Sequence, residues 1–119
     1  MEKKDLKPAG VFKYFEEICQ VPRPSKKEEK MIAYLKAFGA KHNLETKVDE
    51  AGNVLIKKPA TPGKENLQTV VLQSHIDMVC EKNNDVQHDF LTDPIETEID
   101  GEWLKAKGTT LGADNGIGV

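Results

Sequence analysis

The residues most able to do chemistry are His75 and Asp77, which closely follow a β-branched, apolar run at residues 69–72. That run predicts a strand covered on both faces, and ligands of open α/β sheets gather beyond the carboxyl ends of such strands. Because one residue separates them, an extended backbone points both side chains to the same side. A neutral imidazole binds zinc, and a neighbouring carboxylate can orient it. The pair also occurs by chance, so alone it is a weak signal.

A second candidate is Asp114, the one acid in the stretch Gly112-Ala113-Asp114-Asn115-Gly116. Glycines allow the backbone to approach a site closely and to adopt angles that other residues avoid. A simple glycine-rich turn before a helix, with Asp114 as a cap, explains the same stretch. A phosphate loop fits poorly, because the Gly-x-x-x-x-Gly-Lys-Ser/Thr pattern is missing.

Two amphipathic helices are predicted ahead of the strands. The first covers residues 8–20 and ends before the prolines at positions 22 and 24, which a helix interior excludes. The second begins at Ser25, where Ser25-Lys26-Lys27-Glu28 matches a capping box, and ends near Asn43, a residue suited to a left-handed cap. Both are expected to pack an apolar face against a sheet. The face of the first consists of Val11, Phe12, Phe15, Ile18 and Cys19.

Two hairpins complete the predicted elements. Strands at about residues 45–49 and 54–57 are joined through Ala51-Gly52-Asn53, and strands at 96–99 and 103–105 flank Asp100-Gly101. Helices followed by strands and loops predict an α/β fold, with two N-terminal helices and a mixed sheet that includes residues 69–72.

Composition narrows the class of protein. The 119 residues are enough for one ordinary domain, and 38% hydrophobic with 31% charged residues is typical of a soluble globular chain. A net charge of −3 argues against nucleic acid as the main partner, and no apolar run approaches the length of a membrane span. Cys19 and Cys80 are too few for a disulfide framework. A cytoplasmic location is therefore expected.

Taken together, the His-x-Asp pair and the Gly-Ala-Asp-Asn-Gly stretch resemble the co-catalytic zinc exopeptidases of the carboxypeptidase-G2 and aminoacylase type. The sequence is more similar still to one branch of these enzymes, the aminoacyl-histidine (Xaa-His) dipeptidases, and the resemblance covers nearly the whole chain. The matching segments are residues 21–25, 74–83, 88–90, 93–95, 100–106 and 108–118.

The resemblance implies a role for each site residue. His75 would bind one zinc, Asp77 would orient the imidazole, and Asp114 would bridge two zinc ions, with manganese or cobalt as alternatives. It also implies a cis peptide bond between Asp114 and Asn115, which we expect to relax to trans in this chain if no metal is bound. The implied activity is hydrolysis of Xaa-His and related dipeptides by a cytosolic enzyme. A homodimer is the assembly that the resemblance suggests.

The resemblance further implies that residues 1–119 are the incomplete N-terminal part of a phosphorylase/hydrolase-like catalytic domain. The general base, the remaining metal ligands and an inserted dimerisation or lid domain would lie beyond Val119. We therefore expect this chain alone to lack peptidase activity and to bind zinc weakly or not at all. The alternative is a small, complete α/β module that binds a metal or a partner without catalysis.

Overall fold

The computed structural model describes all 119 residues, which divide into two compact units. One unit comprises Met1–Met31 and Ser74–Val119, and the other comprises Ile32–Gln73. A short 3₁₀ turn at Lys3–Asp5 precedes the first helix. The elements, in chain order, are α1 (Ala9–Cys19), α2 (Glu29–Lys41), β1 (Glu45–Val48), β2 (Val54–Lys57), β3 (Thr97–Asp100), β4 (Trp103–Ala106) and α3 (Ala113–Gly116).

The core of the first unit forms where α1 packs against the segment that carries the candidate site. Phe15 and Cys19 of α1 are buried together with Met78 and Ile95. These side chains recur at helical spacing on α1, as predicted, and burying each large apolar side chain contributes about 1.5–3 kcal/mol. Val11 departs from the predicted stripe, because it is 44% exposed. Met78, at the centre of this core, lies only three residues beyond His75.

The start of α2 differs from the prediction. The helix begins at Glu29 rather than at Ser25, and Lys26 has a positive φ of 70° that a helix cannot continue. Pro24 instead forms an isolated parallel bridge with Met78, and the amide of Ser25 donates to the carbonyl of Met78 at 3.3 Å. The predicted capping box is therefore wrong, because this pairing draws Ser25 away from the helix.

The second unit contains most of α2 and the β1–β2 hairpin. The strands pair antiparallel, with Glu45 opposite Lys57 and Val48 opposite Val54, close to the predicted boundaries. Asn43 has a φ of 55° beyond the end of α2, which confirms the predicted left-handed cap. None of the helices is long and apolar enough to cross a membrane.

Residues 69–72 do not form the predicted buried strand. They have no regular secondary structure, and Leu72 is 92% exposed, with Val70 and Val71 nearly as open. A continuous apolar run indicates side chains that can be buried, but they are buried only if neighbouring strands or helices cover them. Here β1 and β2 pair only with each other, so residues 69–72 have no strand beside them.

The β3–β4 hairpin belongs to the first unit. Asp100 pairs with Trp103, so the two-residue loop is Gly101-Glu102 rather than the predicted Asp100-Gly101, and Gly101 takes the positive φ of 62° that the turn requires. The predicted α/β class is confirmed. The predicted mixed sheet is wrong, because the strands form two separate antiparallel pairs.

Candidate functional site

His75 and Asp77 contact each other directly. Nδ1 of the imidazole lies 3.0 Å from Oδ1 of Asp77 and 3.1 Å from its main-chain carbonyl. The two side chains therefore point to the same side, as the one-residue spacing predicts. A proton on Nδ1 donated to this carboxylate leaves Nε2 as the nitrogen that faces outward.

Asp77 is itself held from the other side by Ser25. The hydroxyl of Ser25 donates a short hydrogen bond to Oδ2 of Asp77. The contact is possible because the main chain around Pro24 lies beside Met78. Ser25, expected to cap a helix, thus fixes the carboxylate that contacts the imidazole.

Asp114 reaches the same imidazole from the distant glycine-rich stretch. Its Oδ1 lies 2.9 Å from Nε2 of His75, although the two residues are 39 positions apart. The side chain of Asp114 is otherwise open, with 94% of its surface exposed. Ser25, Asp77, His75 and Asp114 therefore form one continuous chain of hydrogen bonds, which brings together all three residues that the sequence singled out.

The backbone around Asp114 is irregular, as its glycines predict. Gly112 has a positive φ of 75° just before α3, and the four-residue α3 has non-helical angles at Asp114 and Asn115. The Asp114–Asn115 peptide bond is cis, as the resemblance implies. The relaxation to trans expected without bound metal stays a prediction. This backbone presents the Asp114 carboxylate to His75.

The carboxylates change the protonation of the site. The hydrogen bond that the protonated imidazole of His75 donates to Asp114, supported by Asp77, raises the pKa of the imidazole above its ordinary value, although partial desolvation opposes the shift. The Ser25 hydroxyl, with help from His75, holds the pKa of the Asp77 carboxyl below its ordinary value. Since these groups are largely open to solvent, water screens their interactions and each contributes modestly to stability.

Arg23 is a site residue that the sequence reasoning missed. Its guanidinium is buried, and Nη2 donates to the carbonyl of Gly112 at 2.8 Å. Nη1 makes longer contacts of 3.4 Å with the carbonyls of Ile76 and Asp77. The available signal was an arginine between Pro22 and Pro24, at a place where the chain cannot be helical and a long polar side chain has no helix surface to cover.

The other candidate ligands lie elsewhere. The Cys80 thiol is directed to the carbonyl of Met78 at 3.6 Å and packs against the apolar core, where burial raises its pKa. The rings of His88 and Phe90 contact each other, as do those of His42 and Phe38. None of these three residues joins the chain of hydrogen bonds at His75.

The donor chemistry fits part of a metal centre. An imidazole nitrogen and a carboxylate oxygen are ligands that zinc accepts, and here Nε2 of His75 and Oδ1 of Asp114 lie 2.9 Å apart. Asp77, hydrogen-bonded to the far nitrogen, is the partner that metal-binding histidines usually have. No group of three or more His, Cys, Asp or Glu residues in the chain could hold a metal ion. Catalytic zinc sites use three protein ligands, so His75 and Asp114 could supply only two of the ligands that such a site needs.

The fold and the sequence match part of a dipeptidase. The chain superposes on a crystal structure with a TM-score of 0.94 at 54% sequence identity, over 99% of this chain and 24% of the other. That structure is the aminoacylhistidine dipeptidase from Vibrio alginolyticus. The chain is also 51% identical over 118 residues to the cytosol non-specific dipeptidase of Escherichia coli (strain K12).

The coverage of these relatives is unequal. The second match includes 99% of this chain but 24% of the relative, so the chain spans about a quarter of the length of either protein. No family model matches the sequence. The resemblance to the aminoacyl-histidine dipeptidases is confirmed over the length of the chain, and the partial α/β fold is theirs.

Proposed function

We propose that this chain forms part of the active site of a metal-dependent dipeptidase that hydrolyses Xaa-His and related dipeptides. The observation that carries the proposal is the hydrogen-bonded chain from Ser25 through Asp77 and His75 to Asp114. The direct contact between the His75 imidazole and the Asp114 carboxylate supports the proposal that the two share a metal ion. The similarity to two dipeptidases over 99% of the chain supports the same reading.

Each residue has a distinct role in this proposal. His75 presents Nε2 as a metal ligand, and Asp77 holds the imidazole with the proton on Nδ1, which keeps Nε2 available and raises its basicity. Asp114 would supply a carboxylate to hold the metal, which would be zinc by preference, with manganese or cobalt as alternatives. When bound, zinc polarises the scissile carbonyl and lowers the pKa of water.

His75, Asp77 and Asp114 do not supply every group that the reaction needs. Hydrolysis requires a base to take a proton from water, and His75 and Asp77 cannot serve while they are committed to the metal. We therefore propose that the 119-residue chain alone hydrolyses no dipeptide and binds zinc weakly. A protein with the length of the relatives would add the base and the remaining ligands.

The cellular location and the substrate are proposed from the same comparison. The relative from Escherichia coli is by name a cytosol enzyme, which agrees with the cytoplasmic location expected from the sequence. We propose a dipeptide as the substrate, with neither nucleic acid nor membrane as a partner. A homodimer remains a prediction.

The test is hydrolysis by the protein purified from its source cells through a tag on the first residue of the gene product. We expect cleavage of an Xaa-His dipeptide that a chelator abolishes and added zinc or manganese restores. A mass matching 119 residues together with no cleavage would overturn the proposal, and the non-catalytic binding module would replace it. The matched variant His75→Ala is expected to lose the metal-restored cleavage.

A further inference from the structure

Arg23 is a buried cation that contacts main-chain carbonyls rather than carboxylates. The residue is 1% exposed, and burial lowers the pKa of its guanidinium from the ordinary value. Its Nε has no hydrogen-bond partner. Burying a charge is costly unless its donors are satisfied, and an apolar side chain would fill the same space without that cost. A specific use of the planar, two-pronged guanidinium would account for the arginine here.

The two terminal nitrogens of the guanidinium contact the two main-chain segments that carry the site residues. Nη1 contacts the carbonyls of Ile76 and Asp77, beside the His75–Asp77 pair, at 3.4 Å. Nη2 donates to the carbonyl of Gly112, two residues before Asp114, at 2.8 Å. One rigid group therefore joins the segment of His75 to the segment of Asp114.

The glycines around Asp114 fit this close approach. A Cβ placed on Gly112 would lie 2.7 Å from Nη2 of Arg23, and one placed on Gly116 would lie 2.6 Å from the same atom. Real Cβ atoms essentially never come so close. The glycines two residues before and two residues after Asp114 thus leave room for one guanidinium nitrogen.

The backbone of Arg23 is fixed as well. Its carbonyl accepts a hydrogen bond from the amide of Met78 at 3.0 Å, and Pro24 pairs with Met78 in the parallel bridge. The next residue, Ser25, donates to Asp77. The segment of residues 23–25 therefore holds the His75–Asp77 pair through its main chain and through two side chains.

We propose that Arg23 is a positioning residue that sets the distance between His75 and Asp114 by joining their two main-chain segments. This inference rests on the proposed function, because the purpose that it gives to Arg23 is to hold two metal ligands close together. Lysine cannot replace the arginine, because an ammonium is a single point donor and cannot reach two segments in a fixed, planar geometry.

The test is the variant Arg23→Lys in the 119-residue chain, studied by NMR without metal. We expect loss of the nuclear Overhauser contact between the His75 ring and the Asp114 side chain, while the cross-strand contacts of β3 and β4 persist. A merely structural role would disturb the hairpin as well. Persistence of the His75–Asp114 contact in Arg23→Lys would overturn the proposal.

A matched control is Lys30→Met. Lys30 also donates to a carbonyl, that of Leu91 at 2.6 Å in the same unit, but it does not touch the site. We expect this variant to keep the His75–Asp114 contact. An equal loss in Lys30→Met would overturn the proposal, because any cation–carbonyl contact would then suffice to explain the effect.

Gly116→Ala decides the case if Arg23→Lys fails to fold. The added methyl would displace the guanidinium without altering Arg23 itself, since Nη2 is the atom nearest to it. We expect the His75–Asp114 contact to be lost in the folded variant, and its persistence would overturn the proposal.

A zinc titration, followed through the His75 ring signals, separates this proposal from the proposed function. We expect Arg23→Lys to weaken zinc binding by about 10- to 100-fold, as loss of the groups that orient metal ligands typically does. If the unaltered chain shows no response to zinc, as a site with only two metal ligands allows, the metal role is decided instead by the cleavage assay on the protein from its source cells. The NMR contact still decides whether Arg23 positions the two side chains.

Discussion

Nε2 of His75 and Oδ1 of Asp114 lie 2.9 Å apart although the two residues are 39 positions apart in the chain. The histidine lies in a segment without regular secondary structure, and the aspartate lies in a short, irregular helix between two glycines. Since Nδ1 of the same imidazole contacts Asp77, His75 is held between two carboxylates.

Asp114→Asn is expected to lower the pKa of His75 in the metal-free chain. The Asp114 contact is the main cause that raises this pKa above about 6.5. Because the folded value is raised, the associated stability is present below the unfolded pKa and is lost as pH rises through the folded pKa. An NMR titration of the ring measures the shift. Asp85→Asn, which removes an exposed carboxylate elsewhere in the unit, serves as the control; equal titration curves for His75 in the unaltered chain and in Asp114→Asn would contradict the prediction.

Ser25→Ala is expected to raise the pKa of Asp77 and to leave the helix content of α2 unchanged. The Ser25 hydroxyl is the main cause that depresses this pKa. The stabilisation it gives is therefore present above the unfolded pKa, about 3.9, and is lost as pH falls through the folded value. Carboxyl titration by NMR and circular dichroism measure the two effects.

Ser74→Ala is the control for that experiment, since it removes a neighbouring hydroxyl that does not contact Asp77. If Ser25 instead capped α2, its replacement by alanine would cost about 0.5–2 kcal/mol of helix stability. A loss of helicity with no change at Asp77 would show that the capping reading was right.

Cys80 is expected to react with an alkylating reagent before Cys19 does. Burial raises the pKa of the Cys19 thiol to about 11, and only the thiolate is a good nucleophile. Cys19 is fully buried, whereas Cys80 is half-buried. Mass spectrometry after timed alkylation at pH 8 identifies the order. Cys80→Ala should remove the early product, and early labelling of Cys19 in that variant would show that the core of the first unit is open.

Val71→Lys is expected to raise the concentration at which the 119-residue chain begins to associate. Residues 70–72 expose three consecutive large apolar side chains, a feature that promotes association between molecules. Light scattering across a concentration series measures the onset. Asn66→Lys adds the same charge at an exposed position outside the run, and an equal gain from both variants would mean that net charge, rather than the apolar run, sets the onset.

Local patterns in the sequence account for much of the fold. The stripe on α1, the two hairpins and the left-handed Asn43 follow from periodicity and turn chemistry, which depend on nearby residues alone. The failures at Ser25 and at residues 69–72 have a common cause. In each, a segment with a strong local pattern takes a conformation that depends on distant parts of the chain. The segment of Ser25 pairs with Met78, and residues 69–72 have no neighbouring strand with which to pair.

In the candidate site, too, the sequence predicts the local contacts but not the contacts between distant residues. The spacing of His75 and Asp77 predicts their shared direction, because one intervening residue fixes it. The approach of Asp114 came from the family resemblance and not from spacing, since nothing local relates residues 39 positions apart. Arg23 was missed because its partners are carbonyl groups, which every residue carries and no sequence pattern marks.

The most direct test of the central claim is a chimera in which this chain replaces the matching quarter of the cytosol non-specific dipeptidase of Escherichia coli. We predict metal-dependent dipeptide hydrolysis by the chimera and its loss by more than about 100-fold in Asp114→Ala, because metal stabilisation of the transition state is worth several kcal/mol. A soluble chimera without activity, or one whose activity survives Asp114→Ala, would contradict the account.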